Sequence, residues 1–131
     1  MAKCIVEINS STVGSTGRIM FMIAETARKH GFTVYTCSAV HGNEKRIESK
    51  NHIYIGSKLD KKIHLLLAKK TGYNGCFSHF TTAQFLKKID KLQPDLIHFH
   101  NLHNCYINLP MLFDYVKKKN IPVIVVDTEV Y

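Results

Sequence analysis

The first 31 residues constrain the fold most, because they are typical of a strand, a loop of small residues and a helix. An apolar run from Cys4 to Ile8 is followed by the loop 9–17, which is rich in serine, threonine and glycine. Apolar residues then recur at helical spacing as far as His30 and Gly31. Small residues let a backbone approach a ligand closely, and the first N–H groups of a helix lack partners within it. This turn therefore suits a phosphate or another anion.

Strands and helices alternate along the rest of the chain. We predict further strands at 32–37, 52–55, 95–100 and 121–126, and helices at 16–29, 57–70, 81–92 and 109–119. Uniformly apolar strands separated by helices are typical of a parallel sheet that is covered on both faces. The sequence therefore predicts an α/β fold: a single Rossmann-like, three-layer α/β/α domain over residues 1–131 with a mostly parallel sheet.

The spacing of apolar residues also predicts which side of each helix faces the core. The expected inward residues are Ile19, Met20, Ile23, Ala24 and Ala27 in the first helix, Leu59, Ile63, Leu66 and Leu67 in the second, Phe85, Leu86, Ile89 and Leu92 in the third, and Leu112, Phe113 and Val116 in the fourth.

Charge and composition restrict the partners. Eighteen Lys and Arg against ten Asp and Glu give a formal net charge of +8, which favours anionic partners. No aromatic signature of an RNA-binding domain is present, so we expect no nucleic-acid partner. The chain opens without a signal-peptide pattern and has no apolar stretch approaching the roughly 20 residues that span a bilayer. We expect a cytoplasmic protein with reduced cysteines, with peripheral contact at the inner face of the membrane as an option.

The parallel sheet predicts where ligands bind, because they lie beyond the carboxyl ends of the strands in such folds. Three loops meet there: the loop at Gly14, the loop at His41 and the segment after Phe99. The glycine loop lacks the spacing of dinucleotide-binding and P-loop motifs, and Arg18 follows Gly17 where a P-loop has lysine. Neither nicotinamide binding nor ATP hydrolysis is supported. The loop could also be only a tight turn with a helix cap.

Three histidines lie within six residues, at His98, His100 and His103. In a strand, His98 and His100 share one face, and they could ligate zinc with His103 or Cys105 as a third ligand. Against this, no carboxylate lies near in sequence to complete a hydrolytic site. Two other interpretations stay open: histidines bonded to backbone at a strand end, and polar contacts to a ligand. We expect no metal and no cofactor.

The second helix combines leucines with lysines. Its leucine stripe is flanked by five basic residues that could face an anionic membrane: Lys58, Lys61, Lys62, Lys69 and Lys70. The same stripe could pack on the sheet instead.

Five segments together resemble one family. They are Ile8-Asn9, the run Gly14-Ser15-Thr16-Gly17-Arg18, residues 55–60 (IGSKLD), residues 94–103 (PDLIHFHNLH) and residues 120–123 (NIPV). This pattern resembles the N-terminal half of bacterial retaining glycosyltransferases of the GT-B architecture, similar to family 4 and to those of capsular, exopolysaccharide or lipopolysaccharide synthesis. The His-x-His-Asn-x-His run is its more specific part.

The resemblance implies a domain that holds a sugar or lipid-linked acceptor, while a second domain holds most of the nucleotide sugar. It implies ligand contacts from Gly14, Ser15, Thr16, Gly17 and Arg18 near the donor phosphates, and from His100, Asn101 and His103 near acceptor hydroxyls. Such enzymes are similar in needing no metal for chemistry.

Two departures from the family pattern limit what is implied. The family continues the last strand into a Thr-Leu-His-Asp-like segment, whereas this chain continues as Val125-Val126-Asp127-Thr128-Glu129. The catalytic residues are therefore unknown. The donor-binding domain is also absent from the sequence, so the expected function is an acceptor-binding half that is inactive alone. The alternative is a basic module that binds anionic membrane surfaces.

Overall fold

Five parallel strands form a single sheet in the order β3-β2-β1-β4-β5. The structure is a computed structural model that describes residues 3–12, 14–39, 49–56, 58–71, 79–100 and 107–125, with the backbone alone at 58–61. The strands are β1 (Cys4–Asn9), β2 (Thr33–Ala39), β3 (His52–Ile55), β4 (Leu96–Phe99) and β5 (Val123–Val125). The helices are α1 (Gly14–Lys29), α2 (Lys58–Thr71), α3 (His79–Leu92) and α4 (Leu109–Lys119). The predicted Rossmann-like α/β fold is confirmed.

The two faces of the sheet differ in chemistry. Alternate residues of β1 point to opposite faces, so Val6 and Ile8 share one face while Glu7 and Asn9 share the other. The apolar face packs against α3 and α4, and its core includes Ile97 and Phe99 from β4. On the polar face, α1 packs across β1 and β2, and the Phe21 ring lies 5.9 Å from the ring of His52. The fold is therefore a three-layer arrangement with one apolar and one partly polar interior.

Helix α4 has the bounds that the sequence predicts, because both of its ends are capped. The Asn108 side chain accepts a hydrogen bond from the Met111 N–H at 3.0 Å, which satisfies a free donor of the first turn. At the other end, Asn120 adopts the left-handed conformation with φ of 52°. Asn120 thus stops the helix and turns the chain into β5.

Most predicted helix faces agree with the structure, with three exceptions. Met20, Ala24, Phe85, Ile89 and Leu112 are buried as expected. Ile19 and Phe113 are instead exposed at the edges of their helices.

Helix α2 is the third and largest exception. Ile63 and Leu66 are 49% and 55% exposed, and the buried residues of α2 are His64 and Ala68. The predicted leucine edge is therefore wrong: the stripe is helical in spacing, but it faces away from the contacts that bury His64 and Ala68. Leu59 lies outside the side chains that the structure describes.

Candidate functional site

The carboxyl ends of β1 and β4 lie side by side at the centre of the sheet. The His100 N–H donates to the Ile8 carbonyl oxygen at 2.9 Å, immediately beyond the end of β4. The chain leaves β1 toward β2 on one side, and it returns from β3 to β4 on the other side. This reversal is the topological switch point, where ligands bind in open parallel α/β sheets. The start of α1 and His100, the first residue after β4, thus lie at the same edge of the sheet.

The loop after β1 is held by its own polar groups. The Asn9 side chain accepts from the Ser10 N–H at 2.8 Å and donates to the Ser11 carbonyl oxygen at 2.9 Å. Gly14 opens α1 with φ of +77°, a conformation that disfavours residues with a side chain. A Cβ atom at Gly17 would lie 2.5 Å from the Thr12 carbonyl carbon. The space beside Gly17 is therefore filled by the chain's own loop.

The predicted ligand-binding residues differ in how open they are. Ser15 and Arg18 are exposed and Thr16 is half-buried, so their side chains are available to a ligand. Gly17 is buried. Asn101 and His103, together with the loop at His41 and Cys105, lie outside the described residues. Among the described residues of the predicted site, the accessible part is therefore the first turn of α1.

Beneath this edge, Glu7 meets two histidines on the polar face of the sheet. In the register of β1 and β4, Glu7 is the direct neighbour of His98. Its Oε2 atom lies 2.9 Å from Nδ1 of His98 and 3.3 Å from Nε2 of His100. Glu7 and the side chain of His100 are fully buried, and His98 is buried as well. A carboxylate and two imidazoles therefore converge in a site that is largely shielded from water.

The outer nitrogens of the two imidazoles face no partner within the described part of the chain. His98 Nε2 and His100 Nδ1 are buried without a hydrogen bond there. The two rings lie against each other, with centroids 4.1 Å apart. Burial lowers the pKa of His98 from its ordinary value of 6.5; Glu7 opposes this shift and His100 adds to it. The neutral form of His98 is favoured, and a neutral imidazole has a lone pair to offer.

A second polar group on the same face is fully bonded. His52 of β3 has its Nδ1 atom 2.7 Å from the Thr36 hydroxyl and its Nε2 atom 3.0 Å from the Ser38 hydroxyl. Its ring also lies edge-on to Tyr54, with centroids 4.6 Å apart. Because both nitrogens have partners, His52 serves as a structural contact between β2 and β3.

The spacing of His98 and His100 correctly predicts that they share a face, but it gives no sign of Glu7 beside them. The two histidines do share one face of β4, since both contact the same carboxylate. No carboxylate lies near the histidines in sequence, but Glu7, 91 residues from His98, is adjacent to it in space. The sequence signal for Glu7 is a charged residue within an otherwise apolar strand, CIVEIN.

Three of the five lysines of α2 that the sequence predicts to face a membrane lie among the described side chains. Lys62, Lys69 and Lys70 are exposed, and the side chains of Lys58 and Lys61 are outside the described residues. Leu65, Leu66 and Leu67 are exposed on the same helix. Among the described helices, none is both long enough and apolar enough to cross a membrane.

Comparisons with known proteins add no relative. The chain matches no protein-family model, no curated protein and no solved structure. Function must therefore be argued from the fold, the site and the sequence motifs.

Proposed function

We propose that this chain is the acceptor-binding half of a nucleotide-sugar-dependent glycosyltransferase of surface polysaccharide synthesis. The observation that carries the proposal is the hydrogen bond between His100 N–H and the Ile8 carbonyl, because it joins the ends of β1 and β4. Of the segments that resemble the family, 14–18 follows β1 and 94–103 contains β4. A switch point with one ligand loop from each strand is the arrangement that such a domain needs.

In this proposal the domain binds and orients its ligand but does not complete the reaction. The free N–H groups and positive end of the α1 dipole attract a phosphate, and Ser15 and Arg18 are exposed beside them. Sugar transfer requires donor and acceptor to be held together in a closed site. A donor-binding domain must therefore supply the nucleotide-sugar pocket, and the isolated chain is inactive.

The first test is a titration that follows backbone amides. Purified chain is titrated with a phosphate-bearing lipid-linked sugar analogue, and with uridine and guanosine diphosphate sugars, while ¹H–¹⁵N spectra are recorded. We expect saturable shifts at Gly14, Ser15, Gly17 and Arg18 with the acceptor analogue. The absence of shifts there with every sugar ligand would contradict the proposal.

A charge change at Ser15 sharpens this test. Ser15→Asp places a carboxylate in the first turn of α1, where it is tolerated by the helix dipole but repels a bound phosphate. Two like charges about 4 Å apart in water repel by about 1 kcal/mol, which corresponds to roughly fivefold weaker binding. Gln84→Glu is the matched control, because it adds the same charge on the exposed side of α3. Equal affinities of the two variants would argue against phosphate binding at α1.

A second candidate function is favoured by the exposed leucines of α2. Three leucines, Leu65, Leu66 and Leu67, are exposed on the same helix as the exposed Lys62, Lys69 and Lys70. This combination fits an anionic membrane surface. This function is compatible with the first, since lipid-linked acceptors lie at membranes. It would place the protein at the inner membrane face.

We expect Leu66→Gln to weaken binding to anionic vesicles by about tenfold, because burying a leucine side chain is worth about 1.5–3 kcal/mol. Co-sedimentation with vesicles that contain phosphatidylglycerol measures this, with neutral vesicles as the baseline. Ile19→Gln is the control, because it removes an exposed apolar residue from α1 instead. Binding that is lost at high salt and is equal for both variants would mean attraction by charge alone.

A further inference from the structure

We propose that Glu7, His98 and His100 form a binding site for a divalent transition-metal ion of the zinc type. One carboxylate and two imidazoles are a common three-ligand set for zinc in proteins, and the same set binds other first-row metals. The site shares its histidines with the segment after which the proposed acceptor contacts lie, but the inference does not rest on the proposed function, because it is argued from the side chains of Glu7, His98 and His100 alone.

The positions of the ligand atoms suit a metal. One ligand atom from each of the three residues lies within 4.8 Å of the others. The Glu7 Oε2 atom is 2.9 Å from His98 Nδ1 and 3.3 Å from His100 Nε2. Around a tetrahedral ion with metal–ligand distances of about 2.0–2.1 Å, neighbouring ligand atoms are about 3.3 Å apart. The three side chains thus need only small movements to surround one ion.

Charge and burial give a second, independent reason. Within the described residues, the ion-pair partners of the buried Glu7 are His98 and His100. The negative charge of a carboxylate that is shielded from water is costly unless a cation pairs with it. A divalent cation neutralises this charge.

The strands that carry the ligands indicate what the ion does. Glu7 belongs to β1, His98 belongs to β4, and His100 is the first residue after β4. A bound ion would therefore link the two central strands directly below the switch point. Three protein ligands leave a coordination position open, which is typical of zinc sites that accept water or another ligand.

Cobalt titration tests the proposal. Metal-free chain, prepared with a chelator and then dialysed, is titrated with Co²⁺ while visible absorption is recorded, and Zn²⁺ is then added. We expect one equivalent of Co²⁺ to give a d–d band, and one equivalent of Zn²⁺ to remove it. Glu7→Gln and His98→Gln should each weaken binding by at least about tenfold, while His52→Gln should bind as wild type. Unchanged binding in Glu7→Gln would overturn the proposal.

Paramagnetic broadening gives a readout that requires no variant, so it holds even if Glu7→Gln fails to fold. With one equivalent of Co²⁺ on the wild-type chain, signals of Glu7, His98 and His100 should broaden or shift most. Changes centred on the exposed His30 or His79 would show adventitious binding only, and would overturn the proposal. A chain that takes up no stoichiometric metal would also overturn the proposal.

Discussion

Replacing Phe99 by alanine is expected to lower the free energy of unfolding by about 3–5 kcal/mol, the usual cost of removing a fully buried phenylalanine. Phe99 is completely inaccessible and belongs to the core between the sheet and helices α3 and α4. Its ring meets Phe113 edge-on, with centroids 5.9 Å apart. Because β4 is paired with β1 on one side and with β5 on the other, its backbone has little freedom to move and close the cavity. Urea unfolding at neutral pH measures the change.

Phe80→Ala is the matched control for this prediction. Phe80 is the same residue type, but it is 74% exposed at the start of α3. Its removal should change the free energy of unfolding by no more than about 0.5 kcal/mol. If the two variants were equally stable, the packing of β4 described above would be wrong. Since His98 and His100 flank Phe99, Phe99→Ala should also disturb the contacts of these two histidines with Glu7, which together form the Glu7 cluster.

The fold could be predicted because its signal is local. Each strand is a short apolar run, and each helix has a periodic stripe, so the alternation is visible without tertiary information. Helix α4 is predicted to the residue, because proline and two asparagines mark its ends. The inward positions of α3 agree where Phe85 and Ile89 meet the sheet.

The exposed face of α2 could not be predicted, because periodicity shows that a helix has an apolar stripe but not what covers it. Ile63 and Leu66 have the spacing of core residues, yet His64 and Ala68 are the buried ones. The same limitation applies to Ile19 and Phe113, which lie at the margins of correct stripes. Exposure depends on the positions of neighbouring elements, which local spacing does not encode.

The Glu7 cluster illustrates a different limit. The pair His98 and His100 is visible in the sequence, since residues two apart in a strand share a face. The partner that defines their chemistry comes from β1, and the pairing of β1 with β4 follows from strand order rather than from sequence proximity. A charged residue in the apolar run CIVEIN was the available signal. It marks a buried carboxylate that needs a partner, without saying which partner.

Acid is expected to destabilise the protein through His52, with the loss falling between about pH 6.5 and pH 4. Burial lowers the pKa of His52 from 6.5 to about 4. Above pH 6.5 the imidazole is neutral in both states, so the stabilisation is fully present. Below pH 6.5, His52 binds a proton in the unfolded chain but not in the folded chain. The free energy of unfolding therefore falls as the pH decreases toward 4. The total loss is about 3 kcal/mol, since one pKa unit corresponds to about 1.4 kcal/mol.

His52→Gln isolates this contribution from the other groups that titrate in the same range. Glutamine keeps a donor and an acceptor for Thr36 and Ser38 but does not titrate, so the variant should lose less stability than wild type on acidification. The measurement is urea unfolding at pH 7, 6, 5 and 4.5 for wild type and variant. The difference between their free energies of unfolding should change by up to about 1.4 kcal/mol per pH unit. Phe80→Ala, which removes no titratable group, should follow the wild-type pH dependence. If the difference in free energy of unfolding between wild type and His52→Gln were constant with pH, His52 would be protonated as easily in the folded protein as in the unfolded chain. The hydroxyls of Thr36 and Ser38 would then have to accommodate a charged imidazole.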